Sequence, residues 1–278
     1  MNPQDRKPIG LTDKEKLSPV AKYYTEELAP PTNPAALQAL LAGPMDPKLA
    51  KDPYETAKIM LQPGYVEGEN GYCIMEDGCG YLSVNNKFPG VTLDMIKWWF
   101  AWHPIDRLRY ACWDNEDHYD VYLEDPARAL DMSLSMRERH WGSVHHIWED
   151  IGLPGGSGLF VISFEEPGKL GYDVSRIDTK DCNALVCANV KIVGDDQTPD
   201  VPVVMTHFLK PVEGGSQLQS MFWFGWQIID GKAVKCIPDG VTIPKEGPMC
   251  LLNHNVKEFS NLAKILPDLY AEEKDNWA

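Results

Sequence analysis

Apolar residues recur every three or four positions up to about Arg107 and every second position beyond it, so the chain predicts helices first and strands afterwards. Met95, Trp98, Trp99 and Trp102 fall at i, i+3, i+4 and i+7, with Thr92 as N-cap and Asp94 in the first turn. Three tryptophans at that spacing mark a face packed into a core more often than a ligand box. Strands are predicted over His118–Leu123, Ser143–Ile151, Leu159–Glu165, Asn183–Val193, Val201–Lys210 and Gln217–Ile229, several of them separated by glycine- and proline-bearing turns. An antiparallel meander follows. In its last strand Leu218, Phe222, Phe224, Trp226 and Ile228 share one face, and Gln217, Gln219, Met221 and Trp223 the other.

The pattern returns to a helical period at the end of the chain. A helix is predicted from about Leu251 to Glu272, with Phe259, Leu262, Ala263, Leu266 and Leu269 as its apolar stripe and a kink expected at Pro267. A curved antiparallel sheet gripping one long C-terminal helix is an α+β fold that encloses a cavity suited to a medium-sized apolar ligand. Upstream, short helices are predicted over Ser18–Ala29, Ala35–Ala42 and Pro53–Leu61, with Ser18-Pro19 and Asp52-Pro53 reading as N-caps followed by proline. Residues 64–90 read as a loop with a short hairpin.

Composition narrows the function classes. The 278 residues are 44% hydrophobic and 24% charged, ordinary globular usage, and can bury a substantial core. The formal charge of −15 is spread along the chain, which argues against nucleic acid and anionic membranes as partners. No stretch reaches the roughly 18 to 20 apolar residues that span a bilayer, and Met1–Gly10 lacks the apolar core of a signal peptide, so a cytoplasmic protein is expected. Seven cysteines without a C-x-x-C pair read as reduced, mostly buried thiols.

Candidate chemistry begins on the terminal helix. His254 and Glu258, four residues apart, project from one helical face and could offer two arms to one ion. The same spacing also suits a solvated helix pair. His118 and Glu149 lie on strands 31 positions apart and would meet only if those strands border the same cavity. Of His145 and His146, adjacent on a strand, at most one can face a site. His207, among Val203 and Met205, is either a satisfied core histidine or a cavity-lining proton donor. Tyr110 is ambiguous in the same way. Trp223, Phe224 and Trp226 are candidates for an aromatic cavity wall. There is no Gly-x-Ser-x-Gly elbow, Walker loop or dinucleotide fingerprint.

Several segments together resemble a known family. Trp98-Trp99-Phe100-Ala101-Trp102-His103-Pro104, Arg109-Tyr110 with Trp113 and His118-Tyr119, Glu149-Asp150-Ile151-Gly152, and His254-Asn255-Val256-Lys257-Glu258-Phe259 are similar to the phloretin hydrolase and 2,4-diacetylphloroglucinol hydrolase family. The resemblance covers most of the chain. It implies a Bet v 1-like helix-grip catalytic domain over residues 91–278, behind an N-terminal helical region over residues 1–90 that helps form a homodimer. It also implies one zinc ion per chain on His118, Glu149, His254 and Glu258, with Tyr110 acting on the phenolic ring and His207 as a cavity histidine. The implied reaction is hydrolysis of the aryl–acyl carbon–carbon bond of acylated phloroglucinols, phloretin favoured. A helix-grip protein that only carries an aromatic ligand, or an iron enzyme using the same ligand types, are the alternatives.

Overall fold

A computed structural model describes residues 7–25, 27–63, 65, 70–179, 182 and 184–277. Its centre is one eight-stranded, wholly antiparallel sheet. The strands are β1 (Gly71–Ile74), β2 (Gly80–Pro89), β3 (His118–Leu123), β4 (Val144–Glu149), β5 (Gly158–Glu165), β6 (Ala184–Ile192), β7 (Val201–Val212) and β8 (Gly215–Phe224), in the spatial order β1-β2-β8-β7-β6-β5-β4-β3. Each of the six expected strands coincides with an observed one; Asn183, the expected first residue of β6, lies outside the described residues, as does the start of the loop expected from Gly64.

The sheet meets one expectation and corrects another. The hairpin expected within 64–90 is β1–β2, and β2 pairs with β8 over ten residues, from Gly80↔Phe224 to Pro89↔Gly215. The strand expected over Gln217–Ile229 is broken at Gly225, whose φ of 89° lies in the left-handed region that glycine enters without steric cost. Past this break β9 (Trp226–Ile229) leaves the main sheet and pairs with β10 (Lys232–Lys235).

The inner face of the sheet packs on helix α7 (Glu246–Glu273), which grips it from β1 and β2 across to the short helices beside β3. Leu252, Val256, Phe259, Leu262, Leu266 and Leu269 are buried along this helix. The helix continues without interruption through Pro267. The remaining helices are α1 (Pro34–Ala42), α2 (Pro53–Met60), α3 (Leu93–Trp102), α4 (Arg107–Trp113), α5 (Pro126–Leu130) and α6 (Met136–His140). On α3 all three tryptophans are core residues, and Trp98 stacks on Trp102 with ring centroids 4.5 Å apart.

The outer face is covered as well. Ala57, Met60 and Leu61 from the end of α2, with Leu170 and Tyr172, bury Tyr81, Leu185, Val204 and Trp223 in a second apolar cluster. The helix expected over Ser18–Ala29 is a 3-10 turn, Pro19–Tyr23, capped by Ser18. Beyond it the chain runs along α7, where Asn261 and Ser260 accept hydrogen bonds from the amides of Ala29 and Thr32. Those side chains give partners to backbone donors that lie outside any helix or strand.

Candidate active site and metal centre

The register of β3 and β4 sets His118 directly opposite Glu149. Helix α7 lays His254 and Glu258, one turn apart, over the same spot, and all four side chains are buried. The two Nε2 atoms are 3.4 Å apart. Oε2 of Glu258 lies 3.6 Å from Nε2 of His118 and 3.9 Å from that of His254; Oε2 of Glu149 lies 3.7 and 3.9 Å from the same two atoms. A tetrahedral ion with bonds of about 2.0–2.1 Å needs donors roughly 3.3–3.4 Å apart, so the donor set encloses a space close to that size. His118, His254 and Glu258 form a group that could hold a metal ion.

The donors are held from behind. Nδ1 of His118 faces the carbonyl oxygen of Tyr110 at 3.2 Å, and Nδ1 of His254 faces Oδ2 of Asp117 at 3.1 Å. Each imidazole therefore spends Nδ1–H on an oxygen and turns its Nε2 lone pair towards the other donors, the arrangement that orients metal-binding histidines. Asn255 donates to Oε1 of Glu258 at 3.3 Å and accepts from Asn86 on β2 at 2.8 Å. The Tyr110 hydroxyl donates to Oε2 of Glu149 at 2.5 Å. Asp114, Asp117 and His254 form a second acidic group, but Lys257 already occupies it, 3.3 Å from Asp114 and paired with Asp117.

Burial and crowded negative charge shape the protonation of the site. Burial raises the pKa of the Glu258 carboxyl well above the usual range and raises that of Glu149. Burial pulls His254 down, but Glu258, Asp117 and Glu149 together lift it to about 9. His118, buried beside His254, is held well below its ordinary value. The acidic side chains of Glu149, Glu258 and Asp117 thus crowd round one imidazole in a buried place, with Lys257 beside Asp117. A divalent cation among them is what this donor chemistry fits.

The site closes one end of a cavity between the sheet and α7, lined there by Tyr110, Glu149, His254 and Glu258. Its walls are apolar: Phe160, Ile162 and Phe164 of β5, Val190 and Ile192 of β6, Val203 and Met205 of β7, and Leu251. Phe100, His103, His145, His207 and Phe222 line it as well. His207 is buried, and burial lowers its pKa to about 3; its Nδ1 lies 2.8 Å from the Ser220 hydroxyl. Tyr110 and His207 therefore border one cavity with Glu149, His254 and Glu258. His146 points away and pairs with Glu124.

The aromatic wall differs from expectation. Trp223, Phe224 and Trp226 do not line the cavity; Phe222, Phe100, Phe160 and Phe164 do. Trp223 belongs to the outer cluster and donates its indole N–H to the carbonyl of Lys51. Phe224 is on the inner face but packs beside Gly80 and Gly247, near the start of α7. Trp226 lies past the Gly225 break and packs on the outer cluster. Because apolar layers cover both faces of β8, alternation alone does not tell its inside from its outside. Sequence reasoning also passed over Asp117 and His103; a carboxylate immediately before a candidate histidine ligand was the available signal for the first.

Buried imidazole and carboxylate donors that could hold a metal ion thus border a cavity on a helix-grip scaffold, and comparison with known proteins gives the family. Residues 53–271 match the model of the DAPG hydrolase PhiG domain. The chain is 39% identical over 273 residues to phloretin hydrolase from Eubacterium ramulus, covering 97% of this chain and 95% of that protein. It is 31% identical over 271 residues to 2,4-diacetylphloroglucinol hydrolase from a Pseudomonas species, covering 91% and 88%. The solved structure of Ara h 8.0201 is similar at a TM-score of 0.38 and 9% identity, over 69% of this chain and 99% of that one. The chain belongs to the DAPG hydrolase family, and the protein is an enzyme that hydrolyses carbon–carbon bonds. No described helix is long and apolar enough to cross a membrane.

Proposed function

We propose that the enzyme cleaves the aryl–acyl bond of acylated phloroglucinols, with phloretin as the favoured substrate, using one zinc ion held by His118, Glu149, His254 and Glu258. The observation that carries this reading is the convergence of two imidazoles and two carboxylates beside a cavity whose walls are largely apolar. Phloretin is favoured by the higher identity to the hydrolase named for it, 39% against 31%.

In the net reaction the oxygen of water ends on the acyl carbon as a carboxylic acid, and a proton ends on the ring carbon that lost the acyl group. A ring bearing several hydroxyls makes this feasible, because protonation at that carbon gives a keto tautomer whose cleavage releases a stabilised enolate. Zinc in this position supplies Lewis acidity towards water and the acyl carbonyl. Tyr110 holds a phenolic oxygen beside Glu149, and burial keeps its hydroxyl protonated, with its pKa well above the ordinary value. His207 is neutral when the cavity is empty, and a phenolic ring losing its proton beside it gives it reason to take up and return one. The cavity walls exclude water from the departing ring.

Anaerobic incubation with phloretin and with diacetylphloroglucinol, before and after chelation, tests the assignment. Release of phloroglucinol or a deacylated product, lost with the metal and restored by zinc, is the expected result. No cleavage of either by zinc-loaded protein overturns it, and metal analysis finding iron with oxygen-dependent turnover favours the oxygenase reading instead. The N-terminal helical region is proposed to form a homodimer in the cytoplasm. A monomeric mass in light scattering would contradict that assembly.

A further inference from the structure

Three histidines other than the candidate ligands line the cavity, and for two of them the hydrogen bonds fix the tautomer. Nδ1 of His103 lies 2.8 Å from the carbonyl oxygen of Trp99, one turn back. A carbonyl only accepts, so Nδ1 carries the proton and Nε2 is a bare acceptor. Nε2 of His145 lies 3.0 Å from Oγ of Ser143, and that hydroxyl donates its one proton to the carbonyl of His140 at 2.6 Å. Oγ must then accept from His145, which places the proton on Nε2 and leaves Nδ1 as the acceptor. Among the described residues neither free nitrogen meets a protein donor. Both side chains are buried and line the cavity, with ring centroids 6.3 Å apart.

We infer that His103 and His145 form an acceptor site that selects its ligand by protonated hydroxyl groups on an aromatic ring. This rests on the acylphenol reading and sharpens it, since it states which substituents the substrate must carry away from the acyl group. Two fixed lone pairs welcome O–H donors and reject methyl ethers, which have no proton to give, and phenolates, which carry charge where the imidazoles present none. Burial keeps both rings neutral, lowering His103 to about 3 and His145 well below its ordinary value. His103 stacks at 6.1 Å on Tyr110, so a ring bound to the pair lies next to the residue that borders the metal centre. The two histidines are positioning and specificity residues; neither is required to move a proton.

The test is calorimetric titration of the zinc-loaded protein with phloroglucinol, phenol and trimethoxybenzene, alongside turnover of acylated trihydroxy- and monohydroxybenzenes. The parent should bind phloroglucinol on the order of 10–100-fold more tightly than phenol, which can pair only one of the two acceptors, and bind the trimethyl ether undetectably, because a lost donor leaves a buried acceptor unpaired. His103→Phe and His145→Phe should compress that ratio towards one, raising KM for the trihydroxy substrate more than they lower kcat. His103→Gln and His145→Gln, which keep an acceptor and serve if the Phe variants do not fold, should keep part of the ratio. Phe variants that retain the full ratio, or a parent indifferent to hydroxyl number, overturn the inference while leaving cleavage itself intact. A parent that neither cleaves an acylphenol nor binds phloroglucinol overturns the functional reading and this inference with it.

Discussion

His118 and Glu149 are Cα partners across β3 and β4, so two residues 31 positions apart in the chain are placed side by side by sheet register. A slip of one residue in that pairing would turn one of the two to the other face.

Removal of metal should abolish turnover and leave the protein folded but less stable. With free zinc at 100 times its dissociation constant, binding adds about 2.7 kcal/mol to stability. Thermal unfolding followed by circular dichroism, with and without chelator, checks both halves; an unchanged Tm speaks against a bound ion.

Asp117 orients His254 through Nδ1 and is itself paired with Lys257. Asp117→Asn should weaken zinc affinity by roughly 10- to 100-fold, the usual effect of losing a partner behind a ligand histidine. Competition with a chromogenic chelator measures it.

Tyr110→Phe removes the hydroxyl that donates to Glu149 and leaves the ring stack on His118, whose centroids are 4.1 Å apart. Metal content should stay near that of the parent, whereas kcat should fall by about 10²- to 10⁴-fold. Equal loss of metal and activity would assign the tyrosine a structural role only.

Phe222 and Trp223 are neighbours on opposite faces of β8, and their variants should part company. Phe222→Ala enlarges the cavity and should raise KM. Trp223→Ala should cost about 3–5 kcal/mol of stability, the range for emptying an aromatic site in a core, with KM unaltered in the folded fraction. Urea unfolding and steady-state kinetics on the two variants separate the faces.

His140 is buried against Phe100 and Phe164, and burial lowers its pKa to about 4. Its unfolded value is about 6.5, so between those values the unfolded chain binds more protons than the folded one. Its contribution to stability is therefore intact above pH 6.5 and is lost progressively as the pH falls towards 4. His140→Gln should flatten that part of the pH–stability curve, measured by urea unfolding at steps between pH 7.5 and 4.5. A parallel slope in both proteins would place the acid sensitivity elsewhere.

Local physics made much of this protein readable from its residues. Steric alternation along strands located all six expected strands; the 3.6-residue period located α3 and α7 and put His254 and Glu258 on one face of the latter. The segments that carry the family resemblance brought His118, Glu149 and Tyr110 to the same site. What periodicity could not decide was which face of β8 turns inward, because a second apolar layer from α2 covers its back, and a positive φ at Gly225 moves Trp226 off the sheet. Nor could local pattern reveal that β2, expected only as part of a short hairpin, lies beside β8, or that His103 and His145 meet across the cavity. Those facts depend on long-range pairing, where the energy of closing the sheet and burying both its faces outweighs what any short stretch of sequence prefers.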